Sequence, residues 1–127
     1  MMLNLPANVR IYLCASPTDM RKSFDGLCGL VQTEFGRDVI DGHLFLFLNR
    51  RRDRVKLLYW DRDGLALWYK RLEAGTFETP AFAGQPHVEL DATELAMLLG
   101  GVSLANVRRR KRFAIGSERS AAASIAG

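Results

Sequence analysis

Apolar and mixed positions alternate through V-R-I-Y-L-C at residues 9–14, and the β-branched and aromatic side chains there predict a first strand. The period then changes. Met20, Phe24, Leu27 and Val31 fall at i, i+4, i+7 and i+11, one helical stripe that Cys28, Leu30 and Phe35 widen. The preceding S-P-T-D holds helix-start signals: Ser16 as N-cap, Pro17 at the first helical position and Asp19 three residues after the cap. A helix is therefore expected from Ser16, with Gly36 as its stop. Gly26 and Gly29 interrupt it at about 1 kcal/mol each, a cost that close packing against a sheet would explain. Three more strands are predicted at residues 43–49, 54–60 and 65–71, with R-R-R-D and D-R-D-G between them as hairpin spacers. A short strand at residues 87–90 follows a Pro- and Gly-containing loop. Asp91, with Glu94 three residues on, caps a final helix through Leu99 that Gly100 and Gly101 end. The order β-α-β-β-β-β-α predicts one α+β domain with a mainly antiparallel sheet and a helix packed on one face.

If the spacers are true hairpin loops, Asn49 faces Arg54, Trp60 faces Leu65, and side chains sort onto two faces. One face holds Leu44, Leu46, Leu48, Val55, Leu57, Tyr59, Ala66 and Trp68, and is the expected bed for the first helix. The other interleaves aromatic and basic residues: Phe45, Phe47, Arg54, Lys56, Trp60, Tyr69 and Arg71. Arg54 then lies opposite Arg71, a like-charge pair that asks for an anion or for solvent. With Arg50, Arg51 and Arg52 at the turn and Lys70 beside Arg71, positive charge gathers at one end of the sheet. Such a surface suits a phosphate backbone, and its rings suit stacked bases. Two alternatives stand beside this reading. Phe45, Phe47, Trp60 and Leu67 can form a second core layer under the C-terminal helix, with the arginines keeping a turn soluble. A slip of one residue would exchange the faces.

Composition sharpens where the charge lies. The chain has 127 residues, 48% hydrophobic and 25% charged, ordinary for a globular protein of one domain. Its net charge is +4, yet residues 1–107 contain 12 basic against 13 acidic residues, and residues 108–127 contain 6 against 1. The basicity is that of the tail, R-R-R-K-R-F followed by Ser and Ala, which is expected to be mobile and distinct from a 1–107 domain. No run approaches the about 18 apolar residues of a membrane span, and no secretory signal opens the chain, so a cytoplasmic protein without membrane contact is expected. Cys14 and Cys28 lack companions at metal-ligand spacing and read as buried thiols.

Catalytic chemistry finds little support in the pattern. Asp61 and Asp63 are the nearest pair of acids, but D-R-D-G reads as a turn, and no carboxylate triad for paired metal ions is legible. No Ser or Cys has a His and acid companion in sequence. G-L-C-G lies inside the helix and lacks the Lys-Ser/Thr of a phosphate loop, so no cofactor is expected. Arg21 and Lys22, expected in the first helical turn, form a candidate phosphate contact at a helix N-terminus.

Long blocks of the chain resemble one family: I-Y-L-x-x-x-P-T-D-M-R-K-S-F-D-G-L at 11–27, G-H-L-F-L-F at 42–47, R-R-x-D-R-V-K-L-L-Y-W-D-R-D-G at 51–64 and L-W-Y-K-R-L-E-A-G-x-F at 67–77. These are similar to the TnpB accessory proteins, or Orf2-like proteins, of the insertion-sequence-66 group of mobile elements. They are distinct from the RNA-guided nucleases that share the TnpB name. The resemblance covers residues 9–101 and implies a protein encoded beside a separate transposase and an additional small protein, assisting transposition without supplying the strand-transfer site. Relatives continue after the last helix with a Trp-containing, Pro- and Arg-rich segment, where this chain reads G-G-V-S-L-A-N-V before Arg108. The expected function is thus a non-catalytic accessory factor that contacts DNA through Arg50, Arg51, Arg52, Arg54, Lys56, Lys70 and Arg71, with Arg21 and Lys22. The alternative is an adaptor that docks on the transposase, or on a second copy as a homo-oligomer, through Phe47, Trp60 and Tyr69.

Overall fold

The computed structural model describes residues 8–100. Its elements run β1 (Ile11–Cys14), α1 (Phe24–Phe35), a 3-10 turn (Val39–Asp41), β2 (Leu44–Leu48), β3 (Arg54–Asp61), β4 (Gly64–Arg71), β5 (His87–Leu90) and α2 (Ala92–Leu99). The strands form a five-stranded sheet in the order β4-β3-β2-β1-β5. Only β1 and β2 pair in parallel, because the chain crosses between them through α1; the other neighbours are antiparallel. The α+β class and element order read from the pattern are those of the structure.

The hairpin register also agrees, with Arg54 opposite Arg71 and Trp60 opposite Leu65. Pairing continues one step further, to Asp61 and Gly64, so Arg62 and Asp63 form a two-residue turn, with Arg62 at φ 54°. The α2 start is as expected. Asp91 accepts from the Glu94 N–H at 2.7 Å, and the Glu94 carboxylate accepts from the Asp91 N–H at 3.0 Å.

The assignment of helices to faces is a correction. Leu44, Leu46, Leu48, Val55 and Leu57 pack not under α1 but with Leu95, Leu98 and Leu99 of α2 and with Phe77. The aromatic face, with Tyr12, Phe45, Phe47 and Leu58, is the bed of Leu27, Val31 and Phe35 in α1. The ring of Phe35 meets those of Phe45 and Phe47 at 5.1 and 5.7 Å. Both faces are apolar, so hydrophobicity does not choose between them; a parallel crossover places its helix by handedness. Each face therefore has its own helix, and the central strand β2, L-F-L-F-L, is buried at every position. A second core layer does exist around Phe45 and Phe47, but α1 covers it.

The start of α1 is a second correction. Its N-cap is Ser23, not Ser16, and the Ser23 side chain makes no capping bond. Residues 16–22 are held outside the helix by tertiary bonds that outcompete local capping. The Thr18 N–H donates to the Leu48 carbonyl at 2.8 Å, and Met20 and Lys22 give their carbonyls to the Lys56 ammonium. Gly36 ends α1 in the left-handed region at φ 63°, as expected. Sheet packing does not account for the helix glycines. A Cβ on Gly26 would come within 3.3 Å of the Lys22 side chain, and one on Gly29 would meet open space. The basic tail and Gly101 lie outside the described residues.

Candidate nucleic-acid interface

The loop between β2 and β3 is built on Asn49. Its side-chain oxygen accepts from the N–H groups of Asp53 and Arg54 at 3.1 and 3.0 Å, while its amide donates to the Asp53 carboxylate at 2.6 Å. That bond holds the Asp53 carboxyl below its ordinary range. Arg52 completes the turn at φ 59°, and its carbonyl accepts from the Phe77 N–H at 2.7 Å. The turn is thereby fastened at both ends, and Arg50 and Arg51 project from it exposed, with no side-chain hydrogen bond among the described residues. Arg52 instead donates to Thr79 Oγ1 at 3.0 Å. A cleft of about 160 Å³ opens beside this loop at the carboxyl ends of the parallel strands, where open sheets with parallel strands take ligands; Ser16, Pro17, Asn49, Arg50 and Arg52 line it.

One row of side chains crosses the α1 face: Phe47, then Lys56, then Tyr69. Its three members serve different ends. Phe47 is fully buried. Lys56 is only 6% exposed, and its ammonium donates to the carbonyls of Met20 and Lys22 at 2.7 Å each and lies 4.8 Å from the Tyr69 ring centre. Tyr69 is 45% exposed, and its hydroxyl accepts from Arg54 at 3.0 Å. Arg54, Tyr69 and Arg71 with Glu73 line a shallow groove at this end of the sheet. Lys56 therefore seats the 20–22 loop, with Arg21 and Lys22, on the same face as that groove.

Arg21 pairs with Asp19 at 2.7 Å, both groups exposed, and the backbone N–H of Arg21 donates to the same carboxylate at 2.9 Å. The guanidinium and that N–H bring the Asp19 carboxyl down to about 2. Arg71 pairs with Glu73 at 3.1 Å in an equally exposed bridge. Such pairs exchange readily for a stronger anion.

Several expected site residues change role. Lys56 is buried and committed to the 20–22 loop, so it positions the surface rather than meeting a ligand. Lys70 donates to the Leu99 carbonyl at 2.8 Å, holding the end of α2. Phe47 is core, not a docking anchor, because α1 lies over it. Arg21 and Lys22 precede α1 instead of occupying its first turn. Trp60 is half-buried, and its indole N–H donates to the Arg62 carbonyl at 3.1 Å. Phe24, placed in the helix stripe from sequence, is 42% exposed beside the 20–22 loop, an aromatic side chain the periodicity concealed.

Asp61 and Asp63 lie at the tip of the β3–β4 hairpin, as their turn chemistry indicated. Among the described residues no three His, Cys, Asp or Glu side chains gather to hold a metal ion, and no helix is long and apolar enough to cross a membrane. Burial pushes both thiols up, Cys14 inside the core and Cys28 at its margin.

A small two-helix α+β sheet with a basic, aromatic-bearing end is thus the class of protein defined here. The chain belongs to the IS66 Orf2-like protein family, whose model matches residues 9–109. The match reaches Arg108 and Arg109 of the basic run. Membership makes it an accessory protein of insertion-sequence transposition. Two uncharacterized proteins of Sinorhizobium fredii are similar. One, y4jC, is 32% identical over 110 residues, 86% of this chain and 92% of that protein. The other, y4hO, is 34% identical over 101 residues, 80% of this chain and 87% of that protein. No solved structure matches the chain.

Proposed function

We propose that this accessory protein binds DNA through the basic end of its sheet. Arg50, Arg51, Arg54 and Arg71 contact phosphates there, and Tyr69 offers a ring for an unstacked base. Arg21 and Lys22 extend the surface from the 20–22 loop. The observation that supports this most is the buried Lys56 ammonium, which joins two separate sequence blocks into one cationic surface around an exposed ring. In this reading the protein is not an enzyme. Strand transfer belongs to the element's transposase, which with the additional small protein is its expected partner in the cytoplasm.

Fluorescence anisotropy on labelled duplex and single-stranded DNA tests the surface. The variant Arg50→Ala, Arg51→Ala, Arg54→Ala is expected to bind at least tenfold more weakly than the parent while remaining folded. Equal binding by the two would end the proposal. An adaptor role on the transposase draws support from the exposure of Tyr69. Co-purification with the transposase that survives Trp60→Ala with Tyr69→Ala would remove that surface from consideration.

A further inference from the structure

The sheet ends on β4, whose outer side has no strand partner among the described residues. Which of its backbone groups point outward follows from the ladder. The Leu72 N–H donates to the Asp53 carbonyl at 2.7 Å, so residues paired in that phase bond inward to β3, and the alternate ones do not. The Asn49 N–H donates to Arg54 at 3.2 Å, which puts even positions of β3 in contact with β2 and odd ones in contact with β4. On β4, then, Ala66, Trp68 and Lys70 bond inward, while Leu65, Leu67, Tyr69 and Arg71 turn their N–H and C=O groups to the open edge.

Natural edge strands are usually blunted by proline, a bulge or a central charge. The segment L-A-L-W-Y at residues 65–69 has none of these. Leu65, Leu67 and Trp68 are half-buried, so their apolar surface is left incompletely covered. Charge sits only at the strand's two ends: Asp61, Arg62 and Asp63 at the hairpin tip, a net negative turn, and Lys70 and Arg71 at the other.

We infer that β4 pairs antiparallel with β4 of a second copy, about a two-fold axis at Leu67, to make a continuous ten-stranded sheet. This register is self-complementary. Leu67 meets its own counterpart, Leu65 meets Tyr69, Ala66 meets Trp68, and Arg71 at the strand's end comes beside Asp63 in the turn of the other copy. The outward groups of Leu65, Leu67 and Tyr69 bond across the axis. Parallel pairing would instead set Arg71 against Arg71 and Asp63 against Asp63. A shift of the axis to Trp68 would put Leu65 against Arg71. The existing Arg71–Glu73 bridge is exposed on both sides and is readily exchanged for Asp63. Because the axis stands perpendicular to the sheet, both α1 faces lie on one side of the dimer. If the DNA surface is as proposed, the dimer presents Arg50, Arg51 and Arg54 twice on the same side, with Arg71 given over to the pairing; the pairing itself does not depend on DNA.

Sedimentation equilibrium of the full chain tests the inference. The parent is expected to show a dimer. Asp63→Arg alone or Arg71→Asp alone weakens association about tenfold, since each puts like charges at two symmetric positions, and the two substitutions together restore it. Both positions are exposed, so circular dichroism should show all variants folded. A monomeric parent at millimolar concentration, or a double variant no better than the singles, overturns the inference. Amide hydrogen exchange gives a second reading. Leu65, Leu67 and Tyr69 should lose protection on dilution while Ala66, Trp68 and Lys70 keep theirs. Protection of the first three in the monomer would mean that something else covers the edge, and would also overturn it.

Discussion

A lysine with 6% exposure is costly to bury charged unless its donors are satisfied, and Lys56 meets that condition with two carbonyls at 2.7 Å and the Tyr69 ring at 4.8 Å. Substituting Lys56→Met keeps the apolar stem and removes the charge. Stability is expected to fall by about 2 kcal/mol, the scale of lost hydrogen bonds to a charged group, with the 20–22 loop released. Urea denaturation would show it, and an unchanged midpoint would contradict the role given to Lys56. Asp19 offers a separate check. Its folded-state value of about 2 lies below the ordinary carboxylate value, so the Asp19–Arg21 contact is present above that ordinary value and is lost only as pH falls through about 2. A side-chain carboxyl NMR titration should place its midpoint near 2; an ordinary midpoint would show the contact absent in solution. Both groups are exposed, so the bridge orients the loop and adds little to stability.

Elements that depend on local signals were legible from sequence, and those decided by tertiary contacts were not. The α2 capping box, the Gly36 stop and the β3–β4 register rest on neighbours close in sequence, and each was read correctly. Ser16, Pro17 and Asp19 also form a good local helix start, yet bonds to Leu48 and Lys56, far along the chain, hold that segment open. The helix faces were misassigned because Leu46 and Phe47 are equally good apolar beds. For the site, Arg50, Arg51, Arg52 and Arg54 were legible as one basic cluster, whereas the structural use of Lys56 and Lys70 was not. A signal for Lys56 did exist: it stands in the register row with Phe47, inside the apolar run V-K-L-L. Two substitutions test the element account. Asp91→Ala should cost about 1 kcal/mol through loss of the cap, read as a lowered Tm. Phe47→Ala should cost about 3–5 kcal/mol, against about 1 kcal/mol for Tyr69→Ala, the scale of the ring contact to Lys56 that it removes. Similar costs for these last two would mean that the burial difference between them is wrong.

At the scale of the whole molecule, the chain places a nearly neutral body beside concentrated charge. Residues 1–107 are close to balanced, so attraction for a polyanion depends on where the arginines stand rather than on net charge. The fold gathers them by running the β2–β3 loop, the end of β4 and the 20–22 loop to one end of the sheet. That arrangement supports phosphate contact, for which the dependence of affinity on salt is the diagnostic quantity. The most direct measurement is therefore the affinity for duplex DNA across a salt series, for the parent and for the Arg50→Ala, Arg51→Ala, Arg54→Ala variant. The account predicts a linear fall of log affinity with log salt in the parent and a slope shallower by about 2–3 in the variant, one unit or slightly less for each phosphate contact removed. Affinity independent of salt, or the same slope in both proteins, would contradict it.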